Sequence, residues 1–157
     1  MKKSILLLLL LAGPTLFAAG TLPTFDLVGR DGRPFNSSAL PTQGKWLIVY
    51  VAEGCSACDA VLGLFGESEP PNASARVVVI VEGRPGSAAA MSQRFPALAL
   101  AGWYGDPSGG AARALDVPLQ PTVVGVTDRS VSWSLPFATT AEGAKADLQP
   151  MLVRWLQ

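Results

Sequence analysis

The sequence predicts one α/β domain whose central mixed sheet carries helices on both faces and an N-terminal β-hairpin extension. Three observations carry that expectation. Two continuous apolar runs, "WLIVYVA" from Trp46 and "ARVVVIVEG" from Ala75, read as central strands covered on both sides. Helix-patterned segments follow each run, and strands joined through helices pair in parallel. Turn dipeptides, Asp31-Gly32 and Asp128-Arg129, lie between short apolar segments and mark a hairpin near each end. The chain has 157 residues, 49% hydrophobic and 15% charged, which suits a single folded domain with a real core.

Residues 1–20, "MKKSILLLLLLAGPTLFAAG", read as a signal peptide. Lys2 and Lys3 supply the positive start, Ile5 to Leu11 the apolar centre, and Ala18 and Gly20 the small residues before a cut at Thr21. An uncleaved anchor is the alternative. Ile5 to Ala19 is only 15 residues, and a spanning helix needs about 20. No cysteine lies near the cut, which excludes a lipid anchor there. The folded domain is then 21–157, outside the cytoplasm, where disulfides persist.

Within that domain, Phe25, Leu27 and Phe35 flank Asp31-Gly32 as the first hairpin. Gly44-Lys45 leads into the first buried run. From Cys55, "CSACDAVLGLFGES" sets Cys58, Val61, Leu62 and Phe65 at helical spacing, and Pro70-Pro71 ends that helix. The second buried run follows, then a helix from Ser87 to Phe95 stopped by Pro96. "LALAGWYGDPSGG" reads as a short strand and a turn, and "GAARALDV" as a short helix. Thr122–Val126 and Val131–Trp133 form the late hairpin, expected to add antiparallel edge strands. The tail from Thr140 reads as a helix despite Gly143 and Pro150. Trp46, Trp103, Trp133 and Trp155 read as core or partly buried residues. "GRPG" at 83–86 is a turn, and "GWYGDPSGG" lacks the lysine and hydroxyl placement of a phosphate loop.

Histidine is absent from the chain. That excludes Cys/His zinc sites, a Ser-His-Asp triad and His-ligated copper. Cleavage would remove two of the twelve basic residues, leaving ten against twelve acidic ones and a net charge of −2. No basic stripe for nucleic acid is present.

The chemistry concentrates in "VAEGCSACDA", which holds both cysteines of the chain, Cys55 and Cys58. Haem attachment needs a histidine after the second cysteine, and position 59 is Asp. Zinc or copper(I) would have to be shared across a dimer. An inert staple stabilises little, because the benefit shrinks with the closed loop. A redox pair fits spacing and placement best. Cys55 stands where strand gives way to helix, and unpaired helix N–H groups and the helix dipole favour its thiolate. That makes Cys55 the nucleophile. Cys58, one turn on and facing inward, is the resolving thiol.

The segment "TFDLVGRDGRPFNSSAL…GKWLIVYVAEGCSACDAV" resembles the periplasmic thioredoxin-like disulfide oxidoreductases of the TlpA type. "DPSGGAARALDVPLQPTVVGVTDRSVSW" is similar to the family's Asp-Pro…Leu-x-Val…Pro-Thr segment, and the likeness runs from about Leu22 to Trp155. It implies a thioredoxin-like fold, and a cis Pro121 that exposes the backbone of Gln120 for strand-like pairing with substrate. It also implies no cofactor beyond the Cys55–Cys58 pair. Expected partners are exported proteins with cysteine pairs, apocytochromes among them, and a membrane electron donor. The expected state is a monomer that binds no nucleic acid.

The chain departs from the family at Gly54, where tryptophan is usual, and at Ser56-Ala57, where proline is common. The strand "WLIVYV" carries no acid, and Val61 stands three residues after Cys58. Proton handling would fall to water or to Glu53 or Asp59, whose ordinary reading is solvated charge. A peroxiredoxin variant is set aside because Ala52 stands three residues before Cys55. From a different class, a thioredoxin-like binding or metal-delivery module without redox turnover is the alternative. Copper chaperones on this scaffold rely on a histidine that the chain lacks.

Overall fold

The structure is a computed structural model that describes residues 20–41, 43–65, 73–137 and 140–157. The expected signal peptide, Gly20 excepted, lies outside the described residues. A short strand β1 (Gly20–Thr21) is followed by β2 (Asp26–Gly29) and β3 (Pro34–Asn36), the expected first hairpin. Next comes β4 (Lys45–Ala52), whose residues Trp46 to Val51 are all buried. Helix α1 (Ser56–Leu64) begins at Cys55 and closes at Phe65. It stops earlier than the sequence predicts, with Gly63 weakening its last turn. Pro70-Pro71 lie outside the described residues.

Strand β5 (Val77–Glu82) is the second buried run, and α2 (Ser87–Arg94) ends just before Pro96. Strand β6 (Gly102–Asp106), helix α3 (Gly110–Ala114) and the hairpin β7 (Thr122–Thr127) and β8 (Ser130–Pro136) follow. Asp128 and Arg129 both take positive φ, 46° and 64°, which suits the twist of a two-residue hairpin turn. The Gly44 N–H donates to Asp128 Oδ1 at 2.7 Å and ties this turn to the entry of β4.

The expected tail helix has three parts: α4 (Ala141–Gly143), a wide π-helical stretch Ala144–Leu148, and α5 (Gln149–Leu156). Pro150 thereby falls in the first turn of α5, directly after the wide stretch. Among the described residues no helix is long and apolar enough to cross a membrane.

The strands form one mixed sheet in the order β1-β8-β7-β4-β5-β6-β2-β3. The central β4, β5 and β6 are parallel, while β7 lies antiparallel against β4, with Tyr50 opposite Thr122. The late hairpin therefore does not sit wholly at an edge. Thr122 to Val126 are buried, so β7 belongs inside the sheet. Leu47, Val49 and Val51 face α1, α2 and the C-terminal helix, which brings Ala144, Leu148, Leu152 and Leu156. Trp46, Ile48 and Tyr50 face the other side, with Ala111 of α3 and the apolar residues Leu22, Phe25 and Leu27. This is the α/β architecture read from the sequence, with helices on both faces.

Gly125 of β7 lies opposite Trp133, whose indole occupies the space a Cβ would take. Trp133 also packs edge-on against Trp155, centroids 5.3 Å apart. Gly125→Ala must displace that ring, and is expected to cost about 1–3 kcal/mol, read as a lower urea midpoint at unchanged slope.

Strand β6 ends on Asp106, which is fully buried. Its Oδ2 accepts the Tyr50 hydroxyl at 2.9 Å and the N–H groups of Ala111 and Ala112, and its Oδ1 accepts the Gly110 N–H. One carboxylate thus caps α3 and fixes it to the central strand. Burial first, and then the bond to Asp106, push the Tyr50 hydroxyl well above the ordinary tyrosine range. A folded-state value above the unfolded one means stability fully present below about pH 10 and lost as pH rises beyond it. Tyr50→Phe should flatten the fall in urea midpoint measured from about pH 9 upward.

Candidate active site

Strand β4 delivers the chain to Gly54, whose φ of +72° lies in the region glycine adopts freely. Where the resembling family carries tryptophan, this chain turns on a residue with no side chain to cover Cys55. Cys55 is the N-cap of α1, in extended conformation, and its Sγ accepts the Cys58 N–H at 3.1 Å. Its sulfur therefore lies against the positive end of the helix. The two sulfurs are bonded at 2.15 Å, with the Cα atoms 5.2 Å apart. Cys58 is fully buried in the main core cluster, and Cys55 is only partly buried at its border. Cys55 is thus the more exposed of the two and Cys58 the shielded one.

The Gln120–Pro121 peptide is cis. Pro121 is buried directly before β7, and its carbonyl accepts the Phe137 N–H at 2.8 Å. The Thr122 hydroxyl donates to the Leu119 carbonyl at 2.6 Å. Because Thr122 pairs with Tyr50, this segment reaches the end of the sheet from which β4 runs on to Cys55. Leu119 is one of two large apolar side chains left exposed among the described residues.

The two carboxylates named from sequence both meet arginines. Glu53 stands 3.9 Å from Arg84, and Asp59 Oδ2 accepts from Arg94 Nη2 at 2.5 Å. Asp59 Oδ1 is buried without a hydrogen-bond partner. A third acid, Glu82, escaped sequence reasoning. It ends β5 opposite Ala52, and its Oε2 accepts from Gln120 Nε2. A lone acid closing an otherwise apolar strand was the available signal. Among the described residues no group of three or more His, Cys, Asp or Glu converges as a metal site.

No family model matches the chain, and no curated protein matches it in sequence. Solved structures do. A secreted disulfide oxidoreductase of Mycobacterium tuberculosis homologous to E. coli DsbE superposes with a TM-score of 0.63 at 20% identity. That match covers 83% of this chain and 95% of the other. A thiol:disulfide interchange protein of the thioredoxin family from Chlorobium tepidum gives 0.59 at 16%, over 90% and 99%. The peroxidoxin BcpB of M. tuberculosis gives 0.61 at 20%, over 88% and 97%. At these identities the likeness establishes the fold. The chain has the thioredoxin fold, with a cysteine pair at the strand-to-helix junction.

Proposed function

We propose that the protein is an exported thiol:disulfide oxidoreductase that exchanges its Cys55–Cys58 pair with cysteine pairs of extracytoplasmic proteins, as a reductase. The observation that carries the reading is the asymmetry of the pair, with Cys55 accessible at a helix N-terminus and Cys58 buried behind it. Solved neighbours named as disulfide oxidoreductase and thiol:disulfide interchange protein support it.

In the reduced state the Cys55 thiolate attacks one sulfur of a substrate disulfide. A Cys55–substrate bond forms, and the other substrate sulfur leaves as a thiolate that takes up a proton. Cys58 then loses its proton and attacks Cys55 Sγ. The Cys55–Cys58 bond closes, and the first substrate sulfur departs and is protonated. Two electrons have passed to the substrate. A dithiol donor, expected at the membrane, restores the pair by the same steps in reverse. Pro121 exposes the backbone of Gln120, which pairs with the substrate strand. Glu53 and Asp59 are the carboxylates nearest the pair in sequence for proton handling, with water. The protein acts as a monomer without a further cofactor and without nucleic acid. The leader-like residues 1–20 and the secreted neighbour support export.

The test is turnover of a protein disulfide such as insulin by the chain from Thr21, with a dithiol donor, alongside its equilibrium with glutathione. A reductase predicts catalysed reduction and a potential toward the thioredoxin end, near about −270 mV rather than about −120 mV. A chain that binds but does not turn over would leave the binding or metal-delivery module.

A further inference from the structure

We propose that Arg94 is a positioning residue for the chemistry of Cys55: it holds the Asp59 carboxylate and offsets the negative charge one helical turn from the attacking sulfur. The inference rests on the reading above that Cys55 is the attacking thiol.

The geometry starts within α1. The Asp59 N–H donates to the Cys55 carbonyl at 3.1 Å, so Asp59 stacks one turn beyond Cys55 on the same face. One turn of α-helix rises about 5.4 Å. Cys55 Sγ folds over that same turn, toward the Cys58 N–H. A carboxylate at this range disfavours a thiolate, working against the helix N-terminus. It is not fully dissolved in solvent either, because Oδ1 is buried without a hydrogen-bond partner.

Oδ2 meets Arg94, the last residue of α2, at 2.5 Å. The Arg94 guanidinium carbon lies 5.5 Å from the centroid of the Phe95 ring, and Phe95 packs against the main core. The cation is therefore aimed at Asp59 by its own neighbour. Other charges surround α1 and its start. Glu53 is paired with Arg84, and Glu82 accepts from Gln120. Glu142, Lys145 and Asp147 belong to the C-terminal helical segment that packs on α1, and all three are exposed. Among these acids, Asp59 alone shares α1 with the Cys55 cap.

The signs follow. With Arg94 present, the pair is neutral as a unit and the helix N-terminus acts on Cys55 unopposed. Without Arg94 the bare carboxylate makes the thiol harder to ionise. Without Asp59 the free guanidinium makes it easier. Removing both should return Cys55 close to its original behaviour. Both side chains are partly exposed, so solvent screening keeps each shift to about half to one pH unit.

The experiment is the rate of iodoacetamide reaction with the reduced protein, followed against pH at low salt, with mass spectrometry locating the label. Arg94→Gln is expected to raise the midpoint, Asp59→Asn to lower it, and the double variant to restore it. Arg94→Lys should keep most of the wild-type value, and added salt should shrink every shift. A merely structural contact would change the urea midpoint of these variants and leave the alkylation midpoint in place. An unmoved midpoint in Arg94→Gln, or a double variant shifted as far as Arg94→Gln, overturns the inference. Labelling of Cys58 instead of Cys55 in the wild type would overturn the reading beneath it, which keeps the two failures apart.

Discussion

Replacing Cys55 by serine is expected to drop the reduction of a protein disulfide to the background rate of the dithiol donor. Replacing Cys58 by serine should stop the reaction after its first bond change. The two outcomes differ because the two sulfurs occupy different surroundings. Cys55 borders solvent and rests on the first turn of α1, so it can reach a bulky substrate and leave as a stabilised thiolate. A serine hydroxyl at that position has no comparable acidity and breaks no disulfide. Cys58 is enclosed by the core around Val61 and Leu62 and is bonded to Cys55. Its loss leaves the attacking thiol in place, so the first step should proceed within roughly tenfold of the wild-type rate. Turnover nevertheless ceases, because nothing resolves the mixed disulfide. Stopped-flow measurement of the first step beside steady-state turnover separates the two variants.

The largest loss of stability away from the cysteines is expected at Asp106. Asp106→Ala removes one buried carboxylate and leaves four donors without their acceptor: the Tyr50 hydroxyl and the N–H groups of Gly110, Ala111 and Ala112. Hydrogen bonds to a charged acceptor are worth about 1.5–3 kcal/mol each, and relaxation with entering water recovers part of the sum. A net cost of about 3–5 kcal/mol is expected. That is a large share of the stability of an ordinary domain, about 5–15 kcal/mol. Asp106→Asn keeps an acceptor and should cost less, and Tyr50→Phe, which removes one donor, only about 1 kcal/mol. Denaturant midpoints rank the three. Helix α3 packs on the face of the sheet opposite α1. The folded fraction of each variant should therefore exchange disulfides at the wild-type rate.

How far the sequence carried the structure depended on whether a signal was local. The strands β4 and β5 are wholly apolar because both of their faces are covered, and such runs are visible without any partner. The hairpins announced themselves through turn residues, Asp31-Gly32 and Asp128-Arg129, of which Gly32 and Asp128 suit the positive φ they adopt. The cysteine pair was legible for the same reason, since both residues and the helix start they occupy lie within one short segment.

What escaped was non-local. That β7 lies against β4 inside the sheet depends on pairing Tyr50 with Thr122, far apart in sequence. The pairing of Gly20–Thr21 with β8 leaves no pattern in two residues. The wide helical turn before Pro150 follows from how a proline is accommodated, which composition marks only as a weak point. Around the site, Glu53 and Asp59 were named by proximity along the chain. Their arginine partners, Arg84 and Arg94, come from beyond the next strand, and Glu82, which accepts from Gln120, ends that strand. Acids near the motif could be found by reading, but their partners required the fold.

The central claim, that Cys55 attacks and Cys58 resolves, is tested most directly by the mass of a trapped adduct. Reduced Cys58→Ser is mixed with an excess of a peptide containing one disulfide, quenched in acid, digested without reductant and analysed by mass spectrometry. The account predicts a stoichiometric mixed disulfide on Cys55, and no adduct when Cys55→Ser is treated in the same way. An adduct on Cys58 in Cys55→Ser, with Cys58→Ser left unmodified, would contradict it.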